Sequence, residues 1–581
     1  MSLLLKMMTP AKGQENLSEM YYRGAEYKNG KFLLCENECV VFDTYFNSFG
    51  HGSYSTHTVA ETIVFSIKLK GEVQIDVVRA EANANDSTSV KEEILQSKIV
   101  HLKEQGEVAI TQSLADVHKK GIIYLSIRSI GAASEIYDFS ISAKESEVRA
   151  IAMCVVICTY KREDYVRRNV ACIKEHNASV AEADKIGIIV VDNGRSLGEI
   201  AGAIVIENAN TGGSGGFTRG MIVASEAGYT HHLLMDDDIV FDCETLERTK
   251  RFMAHAKDAE NITLGASMLV MESGYEQYEK GAVWHGRGMQ TPERGYDLRT
   301  REAVIVNDNA ISQKNYTAWW YCCMSTNITR RIGKPQPFFI KGDDIEYGLR
   351  AQNTVIVNNG IGVWHESFAS KYNSVLSYYI RRNELILNCL HLGERSVFAV
   401  IKDIVQTAGK QVVFHRYNTL QLVQMAVEDF MKGATHFLQI DPEQKHKDLQ
   451  KLSEKMYSKY ELKTLGYDVD NVDYYNNNTS IIKSAITLNG YLIPRFLYPK
   501  DDKWRKVSAS TAPIESMYKA RTVVHYNEQA EQGFITKLKK TELIKCGFWL
   551  AVTSLKLLFK YGRLKKDYNK QLLQNSAQLK D

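Results

Sequence analysis

No stretch of this 581-residue chain is both long and apolar enough to span a bilayer. The best candidate, CGFWLAVTSL at 546–555, is a short run between Lys545 and Lys556, where a spanning helix needs about 20 residues. The N-terminus, MSLLLKMMTPAKGQENL, lacks the long apolar core and small-residue cleavage site of a secretory leader, so the chain is expected to stay in the cytoplasm. An excess of one charge is missing too. The 72 Lys and Arg against 69 Asp and Glu leave +3, which argues against a dedicated nucleic-acid surface. The 10 cysteines include no CxxC pair. Cys35 and Cys39, like Cys154 and Cys158, have three residues between them, and Cys322 and Cys323 are adjacent. Reduced, partly buried thiols are expected, with zinc ligation as the alternative. No fixed-period repeat is visible.

What remains is ordinary globular composition, 44% hydrophobic and 24% charged. A single core rarely outgrows about 250–300 residues, so about two to four domains are expected. Over residues 1–148, short β-rich runs such as TIVFSIKLKG, VQIDVVRA, GIIYLSIRS and YDFSISAK alternate with turn formers, the pattern of an antiparallel sandwich or barrel. Over 149–385, buried-strand runs alternate with helical stretches: AMCVVICTY, EDYVRRNVACIKEH, IGIIVVDNG, AIVIENAN, GFTRGMIVASEAG, HHLLMDDD. That alternation predicts a mainly parallel sheet with helices on both faces and a ligand crevice at the carboxyl ends of the strands. Residues 386–581 read as mostly helical.

Each of those strands ends in a polar cluster: Thr159 to Arg162, Asp192 to Gly194, Asn208 to Gly216, and Asp236 to Asp238. Alternation along a strand turns Asp236 and Asp238 one way and Asp237 the other. Three adjacent carboxylates at a dry strand end raise one another's pKa. A divalent cation resolves that cost, and hard oxygen ligands suit Mg²⁺ or Mn²⁺. The alternative is a solvated turn or the N-cap of the ETLERTKRF helix. The glycines of NANTGGSGGFTRG, 208–220, lie between a strand and a helix, where backbone N–H groups can approach a phosphate; a flexible linker is the plainer reading. In PFFIKGDDIEYGLRA, Asp343 and Asp344 are either helix caps or a general base for a hydroxyl. His365, in VWHESF, is either structural or a third metal ligand. Trp284 and His285, and the pair Trp319 and Trp320, are either core residues or faces on which a sugar ring stacks.

The combination NxNTGGSGGF, LLMDDDI, AWW, FFIKGDDIEYGLR and VWHESF resembles the metal-dependent GT-A glycosyltransferases of family 2. It is similar in particular to the polymerising galactofuranosyltransferases of mycobacteria and their bacterial relatives. The resemblance implies a Rossmann-like nucleotide-diphosphosugar transferase core between an N-terminal β-sandwich or barrel and a C-terminal mostly helical domain. It also implies inverting transfer from UDP-galactofuranose to a sugar hydroxyl of a galactan, O-antigen or capsule. Asp236, Asp238 and His365 would hold Mn²⁺ or Mg²⁺, and Asp344 would be the base, with Asp343 beside it. The donor would be held by Thr159, Arg162, Asp192, Asn193, Asn210, Gly212, Gly213, Gly215, Gly216, Asp236 and Asp237. Trp284, His285, Trp319, Trp320 and Phe368 would line the acceptor path. Asn193, Gly342 and Phe368 depart from the family's glutamine, tryptophan and tryptophan. Rival readings are a family 2 enzyme with a rhamnosyl or glucosyl donor, and a non-catalytic glycan-binding assembly protein.

The stretch 537–566 mixes Phe548, Trp549, Leu550, Leu557, Leu558 and Phe559 with many lysines. It reads either as a packed terminal helix or as an interfacial helix on anionic lipid. The second reading places the enzyme peripherally at the inner face of the cell membrane, working on a lipid-linked acceptor. A homo-oligomer is compatible with either.

Overall fold

The computed structural model describes the chain from Met1 to Ala577 apart from residues 84–85, 116–119, 132, 145–147, 310–313, 369–371, 476–480 and 500–502. The chain divides into two compact units. One comprises Met1–Lys334 and Tyr347–Glu366, the other Pro335–Glu346 and Ser367–Asp581. The β-rich and α/β regions therefore share a unit, and the segment carrying Asp343 and Asp344 groups with the C-terminal residues.

The N-terminal part of the first unit is a nine-stranded sheet built around one long hairpin, Thr62–Asn83 with Asp86–Ser113. TIVFSIKLKG and VQIDVVRA, read as separate runs, are one strand. Ile63, Phe65, Ile67, Leu69, Val73, Ile75 and Val77 are all fully buried, a period of two that turns one face to the core. The register slips at Gly71. Gly71 has φ +117, and a Cβ there would meet Ser134 Cα at 2.7 Å, so only glycine fits. Before the slip the strand pairs with Ala133–Ala143, and after it with Ile122–Ser129. One bulged strand thus pairs with two different neighbours along its length.

The α/β part holds a second sheet, in which Ile204–Glu207, Gly187–Asp192, Met153–Thr159 and His231–Asp236 run parallel. Their cores, such as Val155, Val156, Leu233 and Leu234, are fully buried, as expected of a sheet covered on both faces. Tyr321–Ser325 continues the sheet antiparallel, followed by Ile262–Val270. Thr354–His365 pairs parallel to the latter, with His365 opposite Val270.

The second unit is largely helical. It contains Leu376–His391, Val397–Val413, Tyr417–Met431 and the 38-residue Lys540–Ala577. It also contains a four-stranded sheet of Tyr457–Ser458, Gln532–Lys537, Thr522–Asn527 and Arg505–Ser508, which the helical periods did not announce.

Candidate active site

Strand register brings the polar ends together, since Thr159 lies opposite Asp192 and Cys158 opposite Asp236. Beyond Asp236 the chain leaves the strand, and Val240 exchanges two hydrogen bonds of 2.8 Å with Trp364. That bridge draws the Thr354–His365 strand alongside the acidic turn. His365 Nε2 consequently sits 3.2 Å from Asp238 Oδ1. One ligand atom from each of Asp236, Asp238 and His365 lies within 4.8 Å of the others, the one such group of three among the described residues. No group of cysteines does this among the described residues.

Asp237 turns the other way. It accepts from Thr159 Oγ1 at 2.7 Å and from Arg162 Nη1 at 3.0 Å, and Arg162 also reaches Asp238 Oδ2 at 2.5 Å. Asn169 Nδ2 holds the Asp237 carbonyl at 2.9 Å. The N-cap of the following helix, Cys243–His255, is Asp242, which accepts from Glu244 N at 2.7 Å. The triplet is therefore no helix cap. Burial works to raise the Asp238 carboxyl, but the His365 hydrogen bond and charge and then Arg162 outweigh it, leaving it well below the usual range. Burial lifts Asp237, partly offset by Thr159 and Arg162.

His365 Nδ1 lies 2.6 Å from the Glu366 carbonyl, which can only accept, so Nδ1 carries hydrogen. A neutral His365 then presents the Nε2 lone pair to a carboxylate oxygen, which is repulsive unless a proton or a cation lies between them. A ring nitrogen donating to a carbonyl while the other faces carboxylates is the usual arrangement of a metal-binding imidazole. The donor set, two carboxylates and an imidazole, fits Mn²⁺ or Mg²⁺.

The glycine cluster is helical rather than a preceding loop. The helix runs Gly212–Glu226, so Gly212, Gly213, Gly215 and Gly216 form its opening. A Cβ at Gly216 would meet Cys158 Sγ at 2.2 Å, and one at Gly220 would meet Val156 Cγ1 at 2.1 Å. These two glycines thus let the helix lie directly on the central strand. Asn193 and Asp192 serve the same neighbourhood through the backbone. Asn193 Nδ2 donates to Gly212 O at 3.0 Å, and its Oδ1 accepts from Asn208 at 2.8 Å. Asp192 accepts from the N–H groups of Gly194, Ser196 and Leu197, and so shapes the loop after its strand. Asn210 Oδ1 accepts from Gly212 N at 3.3 Å.

Of the aromatic residues, Trp319 lies in the hydrophobic core, its ring edge-on to Phe217 at 5.4 Å and to Tyr347 at 6.0 Å. That ring packs on protein on these two sides, which suits a structural part. The Trp320 carbonyl receives Asp236 N at 3.4 Å, which puts this residue beside the acidic strand end. Trp284 is buried and donates its N–H to Asn315 at 3.0 Å, while His285 is exposed.

In the second unit, Asp343 and Asp344 open the helix Asp343–Ala351, and Asp344 Oδ1 accepts from Ile345 N at 2.8 Å. Burial and then the neighbouring Asp344 charge push Asp343 up to about 7. Burial raises Asp344 as well. The preceding loop is strained, with positive φ at Phe339, Lys341 and Gly342. Sequence reasoning missed what holds it. Asn383 Nδ2 donates to the Lys341 and Ile340 carbonyls at 2.6 and 3.0 Å, and Arg382 Nη2 to Phe338 O at 2.9 Å. A buried Arg–Asn pair on a helix was the available signal. Phe368 lies under Lys341 Nζ at 5.0 Å.

Arg248 was missed as well. It is fully buried, and its guanidinium donates to the carbonyls of Phe46 at 2.5 Å, Lys6 at 2.6 Å and Gly360 at 3.2 Å. Tyr45 Oη donates to Ile361 O at 3.1 Å, and the Phe46 ring lies 5.7 Å from that of Trp364. The β-rich region thereby buttresses the strand that ends in His365.

With this geometry in hand, comparison with known families is informative. The family model for glycosyl transferase family 2 matches residues 154–295. That stretch resembles the family 2 glycosyltransferases. The core of the chain is the GT-A fold, flanked by a mostly-sheet region and a helical one. A second model, galactofuranosyltransferase 2 N-terminal, matches residues 14–137. The galactofuranosyltransferase GlfT2 of Mycobacterium tuberculosis is 23% identical over 438 residues, 69% of this chain and 66% of the relative. That of Mycolicibacterium smegmatis is 24% identical over 436 residues, 69% of this chain and 65% of the relative. The match thus spans a little under two thirds of either relative's length. Among solved structures, a mannosyltransferase from Pyrobaculum calidifontis in complex with GDP-Man and Mn²⁺ aligns with TM-score 0.28 and 10% identity, over 53% of this chain and 88% of that one.

Proposed function

We propose that this chain is an inverting, metal-dependent galactofuranosyltransferase that moves galactofuranose from UDP-galactofuranose to a hydroxyl of a cell-surface polysaccharide. The observation that carries the reading is the convergence of Asp236, Asp238 and His365 within 4.8 Å at the carboxyl end of a parallel sheet. The likeness of residues 14–137 to the galactofuranosyltransferase N-terminal model supports the furanose donor over a rhamnosyl or glucosyl one.

A divalent cation held by these three residues supplies positive charge to the departing diphosphate. The remaining work falls to the chain itself. Arg162, anchored on Asp237 and Asp238, adds a fixed cation on the same side. The Asn193 and Asn208 contacts fix the start of the glycine helix, whose positive end favours an anionic ligand at low reorganisation cost. Asp344 takes the proton of the acceptor hydroxyl as the sugar carbon is attacked from the face opposite the diphosphate. Burial raises its pKa, which makes it a stronger base than an exposed carboxylate.

We also assign the terminal helix to an anionic lipid surface. No helix among the described residues is long and apolar enough to cross a membrane. Yet Ile544, Phe548, Leu555 and Phe559 are exposed on one stripe of Lys540–Ala577, while Leu557, Tyr568 and Leu572 are buried on the opposite side. Such a stripe beside Lys545, Lys556 and Lys560 suits an interfacial helix.

The test is UDP release by purified protein with Mn²⁺ or Mg²⁺, offering UDP-galactofuranose beside UDP-galactopyranose and other sugar nucleotides, with and without short galactoside acceptors. Metal-dependent release selective for the furanose is expected. Release with another donor alone overturns the donor assignment, and UDP-galactofuranose bound without any turnover favours the assembly-protein reading.

A further inference from the structure

Two cysteines outside the ligand crevice are placed for chemistry of their own. Cys172 lies on the helix Glu163–Ala178, and Cys243 is the first residue of the helix Cys243–His255. Their sulfurs are 3.1 Å apart, and Cys243 Sγ also approaches the Cys172 carbonyl at 3.5 Å. One turn further along both helices, His176 Nε2 meets Glu247 Oε1 at 2.9 Å, and Arg251 braces Glu247 at 3.2 Å. The His176–Glu247 contact ties the two helices together beside the thiols, which face each other without a search. Both cysteines are partly buried, whereas Cys154, Cys322, Cys323, Cys389 and Cys546 are fully buried. Small oxidants can therefore reach this pair.

We propose that Cys172 and Cys243 form a reversible two-thiol redox site, which a peroxide or a small disulfide converts to an intramolecular disulfide. With hydrogen peroxide, the Cys172 thiolate attacks one oxygen, the O–O bond breaks, and Cys172 becomes a sulfenic acid while the other oxygen leaves as water. Cys243 then displaces the sulfenic hydroxyl as a second water. Overall, two thiols and one peroxide give one disulfide and two waters, and an added dithiol returns both thiols by exchange. The asymmetry favours Cys172 as the attacking sulfur. A hydrogen bond from Cys243 lowers the Cys172 thiol, while the same contact and burial raise Cys243. A disulfide needs about 2.05 Å between sulfurs, so the two sulfurs have only about 1 Å to close.

The location gives the bond a consequence. The first helix begins directly after Arg162 and the second soon after Asp238, so the disulfide would staple together the supports of two strands whose ends form the acidic site. The loop it closes contains the glycine helix and the aspartate triplet.

The full-length protein is treated with hydrogen peroxide or diamide, alkylated, digested without reduction and analysed by mass spectrometry, with amide hydrogen exchange measured in parallel. A peptide linking Cys172 to Cys243 is expected, lost on dithiothreitol treatment. Exchange within 163–178 and 243–255 should slow several-fold in the oxidised form and recover on reduction. Cys172→Ser and Cys243→Ser should each abolish the linked peptide. Recovery of Cys172 and Cys243 as separately alkylated or sulfinic species from oxidised wild-type protein, or linked to other cysteines, overturns the proposal. This outcome is independent of donor identity or turnover.

Discussion

Asp343→Asn tests how the two carboxylates of the proposed base share their charge. Asp343 is nearly buried at 8% exposure, and burial together with the Asp344 charge holds its carboxyl up at about 7 against an ordinary 3.8. The pair therefore takes up its second negative charge near neutrality, and that step belongs to the dyad as a whole. Displacement of this size corresponds to a penalty on the order of 4 kcal/mol for ionising Asp343 in place. The sign follows from which state binds the proton. Between the two values the folded protein keeps a proton that the unfolded chain releases, so this group's favourable contribution is complete at low pH and is lost as pH rises towards 7. Asn cannot ionise, so the variant should be the more stable protein above pH 7 and lose that advantage below about pH 4. In the pH profile of UDP release at saturating donor and Mn²⁺, wild type should show a step near 7 as the second charge strengthens the base, and Asp343→Asn should lack it. Asp344→Asn should abolish transfer while leaving UDP and metal binding intact. It should also let Asp343 titrate about 1–3 pH units lower. A step near 7 that persists unchanged in Asp343→Asn refutes the reasoning and assigns that ionisation elsewhere. Equal loss of UDP and metal binding in Asp344→Asn removes that residue from the base role.

Three further outcomes are expected. His365→Ala removes the one nitrogen ligand and should weaken Mn²⁺ binding by at least about tenfold in calorimetric titration; an unchanged isotherm returns His365 to a structural part. Gly216→Ala places a Cβ 2.2 Å from Cys158 Sγ and should cost about 1–3 kcal/mol by overpacking, read as a lowered denaturation midpoint. Phe548→Glu with Phe559→Glu, on the exposed stripe of the terminal helix, should move the protein to the unbound fraction in flotation with anionic liposomes without altering UDP release from a soluble acceptor. Equal flotation of variant and wild type removes the lipid assignment.

The α/β core was legible because its signals are local. Buried runs end in polar clusters, and the alternation that separates Asp237 from Asp236 and Asp238 operates within one strand. Other features depend on long-range contacts that one residue's neighbours do not reveal. The strand Asp86–Ser113 was missed because VKEEILQSKIVHLKEQGEV is polar and carries no clean alternation. Pairing with Thr62–Asn83 along its length, rather than burial of its own side chains, makes it a strand. The GGSGG run was read as a loop because glycine disfavours helix, yet close packing on Val156 and Cys158 demands small residues there and overrides propensity. Trp319 and Trp320 look identical in sequence. One faces the core and the other lies beside Asp236, which follows from how Tyr321–Ser325 docks on the sheet.

The anchoring of Arg248 bears on how this chain could be dissected. Two family models meet near residue 150, which invites expression of the transferase part alone. A fragment starting at 149 would strip Arg248 of its acceptors at Lys6 and Phe46 and uncover it, leaving the Gly360 carbonyl and a 3.4 Å contact to Glu244. Each lost hydrogen bond to a charged group costs about 1.5–3 kcal/mol, and the strand that must present His365 is the one left unsupported. The β-rich region thus braces the strand that ends in His365 as well as forming a module of its own. A gene fusion or truncation that severed it is expected to lose metal affinity, read by Mn²⁺ titration, before it loses affinity for the sugar nucleotide.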